Sequence, residues 1–141
     1  FYGVLKPMDG VTPYRLEMQA KAEIEETTNL YDYWGDRLYH SVIDDSRTII
    51  NLASKEYSKC IERYLSDKDN YITITFCELS GDKLVTKGTY AKMARGEMVR
   101  FMAENNIENP VDIQKFDRLG YTFRGNLSSE TEYVFERKII K

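Results

Sequence analysis

The stretch NYITITFCEL, residues 70 to 79, alternates in hydropathy with period two, and Gly81 and Asp82 lead from it into KLVTK, residues 83 to 87. Such alternation sends one set of side chains to each face of a strand, and a Gly-Asp pair supplies the reversal of a hairpin. Two strands alone are marginal in water, so a chain holding this hairpin must build a larger sheet around it. RTIINL (47 to 52), rich in β-branched residues, reads as a buried strand, and YTF (121 to 123) and EYVFERKII (132 to 140) read as two that close the chain.

Helical spacing separates these strands. Leu30, Tyr33, Trp34, Leu38, Val42 and Ile43 recur at a helical period and predict one amphipathic helix from Asn29 to Asp45, across Gly35. Ser54 is placed to cap a second helix reaching about Leu65, with Tyr57, Cys60, Ile61 and Tyr64 on its inner face. A third runs from about Tyr90 to Asn105, and a short one follows Pro110, from Val111 to Phe116. Gly3, Pro7, Gly10 and Pro13 punctuate the opening segment, where no helix is expected before Lys21. Strands and helices interleave without a strict βαβ rhythm. The expected class is α+β (mixed α/β), with a sheet that is at least partly antiparallel. At 141 residues the chain has the size of a single domain, expected over 1 to 141.

Composition narrows the function. The net charge of -3 means that any nucleic-acid binding must come from a local basic patch. One histidine, His40, and two distant cysteines, Cys60 and Cys77, are a poor supply of transition-metal ligands, so no metal and no cofactor is expected, and the cysteines read as buried free thiols. No apolar run is long enough to cross a bilayer, and the first residues lack the pattern of a secretory signal, which favours the cytoplasm and no membrane partner.

The patch is sought on TYAKMARGEMVRFMAEN, residues 89 to 105. At 100° per residue, Tyr90, Met93, Ala94, Met98 and Phe101 share the predicted core face, while Lys92, Gly96 and Arg100 form a row on the opposite side with Arg95 and Ala103 beside it. Cations one turn apart match a phosphate backbone, and a glycine between them lets a partner approach; the same row also fits an ordinary solvated face with a tolerated glycine. A second, polar set stands elsewhere. Asn51 and Ser54 lie where a strand runs into a helix, Asp36 and Arg37 follow a glycine as a candidate buried pair positioning Arg15, and Glu17 shares a side of an extended segment with Arg15. If Glu17, Asp36 and Glu56 converged, they would fit a magnesium-dependent enzyme acting on nucleic acid or a nucleotide.

Four phrases, YGVLKPMDGVTPYRLEM (2 to 18), LYDYWGD (30 to 36), INLASKEY (50 to 57) and YAKMARGEMVRF (90 to 101), followed by GYTF and VFERK, together resemble the bacterial YaaA family of peroxide stress resistance proteins. The resemblance runs from Phe1 to about Lys138 and matches the later portion of longer proteins. It implies part of the mixed cantaloupe fold and a protein of the hydrogen peroxide response and recombination repair, binding double-stranded or branched DNA through a basic cleft and a helix-hairpin-helix element. It assigns no catalysis, and non-enzymatic DNA binding is the leading expectation, with the magnesium-dependent enzyme as the alternative. It favours Gly3, Lys6, Arg15, Lys92, Arg95, Gly96 and Arg100 as the residues that line the cleft, and leaves the polar set of Glu17, Asp36, Asn51, Ser54 and Glu56 open, as a buried network that fixes the cleft or as a site for chemistry. The expected companion is the earlier portion of the same protein or a neighbouring copy, covering an open sheet edge.

Overall fold

The computed structural model describes residues 2–6, 8–13, 16–24, 27–81 and 83–138. Phe1, Pro7, Tyr14, Arg15, Asp82, Ile139 and Ile140, which figure in the expectations above, lie outside them. The chain forms two compact units, one of residues 1–49 and 53–70, the other of residues 50–52 and 71–141.

In the first unit, a two-stranded antiparallel hairpin, β1 (Lys21–Ile24) and β2 (Thr27–Asn29), follows the opening segment. Apolar and polar residues alternate from Leu16 to Glu25, and β1 falls within that run, a strand signal that the expectations above do not use. Asn29 caps the next helix, its side-chain oxygen accepting the Asp32 N–H at 3.0 Å. The single helix expected from Asn29 to Asp45 is two short ones, α1 (Leu30–Trp34) and α2 (Arg37–Val42). The break falls at Gly35, whose φ of 52° closes α1 in a conformation that side chains with a Cβ resist, with its N–H on the Tyr31 carbonyl. α3 (Lys55–Glu62) begins after Ser54, which holds the cap position through its backbone: its carbonyl takes the Tyr57 and Ser58 N–H groups, while its hydroxyl makes no capping bond. The small Ser58 and Cys60 are the buried residues of α3, on roughly opposite sides of the helix, and Tyr57, assigned inward above, is exposed. Met18, Leu30 and Cys60 make the centre of this unit, with Leu16, Tyr31, Trp34 and Leu38 packed around them.

The second unit carries the sheet, in strand order β3 (Thr48–Asn51), β4 (Asn70–Ser80), β7 (Glu132–Arg137), β6 (Tyr121–Phe123), with β5 (Lys83–Val85) also paired to β4. β4 and β5 form the predicted hairpin, with Gly81 at φ 61° in its turn. β6 and β7 are antiparallel, but β4 and β7 run parallel from Thr73 opposite Glu132 to Glu78 opposite Arg137. The sheet is mixed and the fold class is α+β.

Alternation along β4 sends Ile72, Ile74 and Phe76 inward, where they meet Tyr133 and Phe135 of β7, Tyr121 of β6 and one side of α4 (Gly88–Glu104). A 3-10 helix, Pro110–Lys115, adds Ile113 and leads to Phe116. The Phe76 ring lies 5.0 Å from Tyr121 and 5.5 Å from Phe135, and Phe116 meets Phe135 nearly edge-on at 5.7 Å. These are favourable ring separations, and the cluster fixes how α4 lies on the sheet.

Candidate nucleic-acid interface

Packing against these rings selects the buried side of α4. The expected core face of Tyr90, Met93, Ala94, Met98 and Phe101 is corrected to Ala91, Ala94, Met98 and Phe101: Ala91 is 1% exposed, whereas Tyr90 and Met93 are 41% and 53% exposed. Large apolar residues dominate a reading by periodicity, but over an aromatic sheet small ones allow the helix to come close. The stripe therefore turns toward Ala91, and Met93 joins the outer surface.

Lys92, Gly96 and Arg100 remain on the outer side, as spaced. Nothing stands within 4 Å of where a Gly96 Cβ would be. Arg95 is half-buried at the border of the core face, and its Nε is sealed from solvent without a hydrogen-bond partner. Neither Lys92 nor Arg95 has an acidic partner among the described residues. Arg100 differs, because its Nε lies 2.7 Å from Glu104 Oε1 one turn further on. The other oxygen of Glu104 accepts from Arg118 Nη2 at 2.6 Å, and Arg118 Nη1 also reaches Glu97 at 3.4 Å. Hydrogen bonds from Arg100 and Arg118 hold the Glu104 carboxyl below the ordinary glutamate range. Arg118 went unread in the sequence, since its partners lie 14 and 21 positions away and no spacing rule links them.

The other basic candidates belong to the first unit. Gly3, at φ 75°, lies against Trp34, where an added Cβ would come within 3.0 Å of the indole ring. Lys6 is exposed in a turn closed by Asp9, whose carboxylate accepts the Lys6 N–H at 2.7 Å. Arg15 lies outside the described residues.

The polar set separates. Glu56 Oε1 accepts the Met18 N–H at 3.0 Å and the Glu56 carbonyl accepts the Tyr31 hydroxyl at 2.6 Å, so this residue ties the opening segment and α1 to α3. Asp36 is exposed beside His40 at 3.3 Å, and Arg37 stacks over Tyr33 and Trp34; the expected buried Asp36–Arg37 pair does not form. Glu17 is exposed. Asn51 is buried in the second unit, donating to Thr73 Oγ1 at 3.2 Å. Among the described residues no three His, Cys, Asp or Glu side chains stand close enough to hold a metal ion.

Both cysteines are free and buried, and burial pushes both thiols up. Cys60 borders a cavity of about 240 Å³ lined also by Met18, Trp34 and Tyr57, whereas Cys77 is enclosed in the second unit with its Sγ on the Phe135 carbonyl. Titration with a thiol reagent near neutral pH is expected to modify Cys60 before Cys77, and both far more slowly than in denaturant. Immediate reaction of both native thiols would contradict this burial.

The architecture is that of an α+β protein whose long helix carries Lys92, Gly96 and Arg100 on its exposed side. A family model described as peroxide stress protein YaaA matches residues 1–127, and the chain belongs to that family. It is 80% identical over 139 residues to a UPF0246 protein of Agathobacter rectalis, covering 99% of this chain and 56% of that protein. Against UPF0246 proteins of Lachnoclostridium phytofermentans and Clostridioides difficile, identity is 55% over 135 residues and 44% over 137, covering 53% and 56% of those proteins. The chain thus spans about half the length of the curated relatives it matches.

Proposed function

We propose that this chain is part of a protein of the peroxide stress response that binds duplex DNA, with little regard to sequence, through the outer face of α4. The observation that carries the reading is the pairing of open space with charge: two cations without acidic partners among the described residues, Lys92 and Arg95, precede a glycine whose Cβ position has nothing within 4 Å. Phosphates are the fitting ligand, since the face offers charge without the converging amides and carboxylates that read base edges. Arg100 joins this face when it leaves Glu104. Gly3, Lys6 and Arg15, with the helix-hairpin-helix element implied by the resemblance, would add backbone contacts, branched DNA is a natural further ligand for such a protein, and the cytoplasm is where it would meet DNA. The reading requires no cofactor and no chemistry on the DNA.

The test is a duplex titration of the intact protein at several salt concentrations. With four phosphate contacts, affinity should fall about 150-fold between about 50 and 200 mM salt, following a log-log slope near -0.9 per contact. Affinity that is flat across that range would refute the electrostatic reading.

A further inference from the structure

The Glu104 carboxylate is shared between two guanidinium groups, each on a different oxygen: Arg100 Nε on Oε1 and Arg118 Nη2 on Oε2. The two arginines are unequal. The Arg100 side chain is 67% exposed, whereas that of Arg118 is 29% exposed, packs over the Phe101 ring at 5.4 Å and reaches Glu97 as well. An exposed pair one helical turn apart holds weakly, so Arg100 can leave Glu104 at little cost. What would then oppose phosphate binding is the bare Glu104 carboxylate left beside it, since like charges at short range repel.

We propose that Arg118 is a positioning residue for the phosphate-binding face: it keeps Glu104 and Glu97 neutralised from the side, so that Arg100 can turn to a DNA phosphate without uncovering an acid. This rests on the DNA reading above. Because Arg118 occupies the oxygen that Arg100 does not use, its bond survives the departure of Arg100. Arg118 itself touches no DNA.

The experiment compares four variants of the intact protein on one mixed-sequence duplex at about 0.1 M salt. Arg118→Gln is expected to bind about fivefold more weakly, the effect of one uncompensated charge a few ångströms from a phosphate in water. Its salt slope should equal the parent's, because no phosphate contact is lost. Adding Glu104→Gln to Arg118→Gln should restore parental affinity, and Glu104→Gln alone should bind more tightly than the parent. Lys115→Gln, which changes net charge equally on the neighbouring 3-10 helix, should have less than half the effect of Arg118→Gln.

An Arg118→Gln variant that binds like the parent overturns the proposal. So does one that loses about one unit of salt slope, or that Glu104→Gln fails to rescue, because Arg118 would then be a phosphate contact or a purely structural residue. An equal loss in Lys115→Gln also overturns it, by reducing the effect to net charge. If Arg118→Gln fails to fold, Glu104→Gln alone decides, and affinity no higher than the parent's refutes the proposal. A parent without salt-dependent duplex binding removes the DNA reading and this inference together; a parent that binds beside an unaffected Arg118→Gln removes the inference alone.

Discussion

Replacing Lys92 by Ala together with Arg95 by Met is expected to lower duplex affinity about 60-fold at about 0.1 M salt and to make the log-log salt slope shallower by ~1.8. The figure follows from losing two phosphate contacts at about 0.9 each. Arg95→Met keeps the apolar stem of a half-buried side chain and removes its charge, so packing at the border of the core is conserved. Lys92 is exposed, without an acidic partner among the described residues, and its loss disturbs no ion pair there. The loss should be uniform across duplex sequences, because phosphate contacts carry no sequence information. Fluorescence anisotropy on two unrelated duplexes checks both points. Parental affinity and slope in a folded double variant would leave α4 as scaffold, and a loss confined to one duplex would mean base readout.

The largest expected effect on stability lies beside the start of α4. Glu78 on β4 has no solvent exposure, and its two oxygens face Arg137 Nε at 3.0 Å and Lys87 Nζ at 3.4 Å. Neither contact is aligned as a hydrogen bond, so the carboxylate is held by charge alone. Parallel pairing of β4 and β7 puts Glu78 opposite Arg137, and Tyr90 at the start of α4 covers the guanidinium at 3.6 Å. Arg137→Ala would leave a buried carboxylate with only the half-exposed Lys87 for company. Removing one partner of a buried pair costs ~3–5 kcal/mol, and Lys87 places the expectation near 3. Against a domain stability of roughly 5–15 kcal/mol this is severe. Glu78→Leu in the same chain should recover much of the loss, since an apolar residue needs no counter-charge. Denaturant unfolding of the single and double variants decides it; a single-variant loss below about 1 kcal/mol would mean that the buried Glu78 does not depend on Arg137.

Local signals in the sequence carried well where the physics is local. The period-two alternation of residues 70 to 79 and the Gly81 turn became β4 and β5, and Pro110 opens the 3-10 helix that the sequence marks. Gly35 was tolerated in a helical pattern, whereas its backbone ends the helix. Partnership between distant segments was not legible. The parallel pairing of β4 with β7 joins residues nearly 60 positions apart, and the shift of the α4 core face from Met93 to Ala91 depends on the Phe rings that α4 meets. At the candidate interface, spacing gave the row of Lys92, Gly96 and Arg100 but not which cations are occupied. The pairing of Arg100 with Glu104 is an i, i+4 relation that a sequence can suggest; the claim of Arg118 on the same carboxylate arises only in the folded chain. The polar candidates mostly have structural occupations, Glu56 on the Met18 amide and Asn51 on Thr73, which residue type alone does not distinguish from catalytic ones.

Gly96→Ala separates a working surface from an ordinary solvated helix. An alanine Cβ at this position meets nothing within 4 Å, and alanine favours a helix interior over glycine by ~1 kcal/mol. The variant should therefore unfold a few degrees higher than the parent. If a DNA backbone comes to rest over Gly96, the added methyl group stands in the line of approach and duplex affinity should fall severalfold in spite of the gain in stability. The decisive measurement is thermal unfolding and duplex titration of Gly96→Ala in the intact protein: higher stability with weaker binding is the predicted result, and higher stability with parental binding would contradict the assignment of this face to DNA.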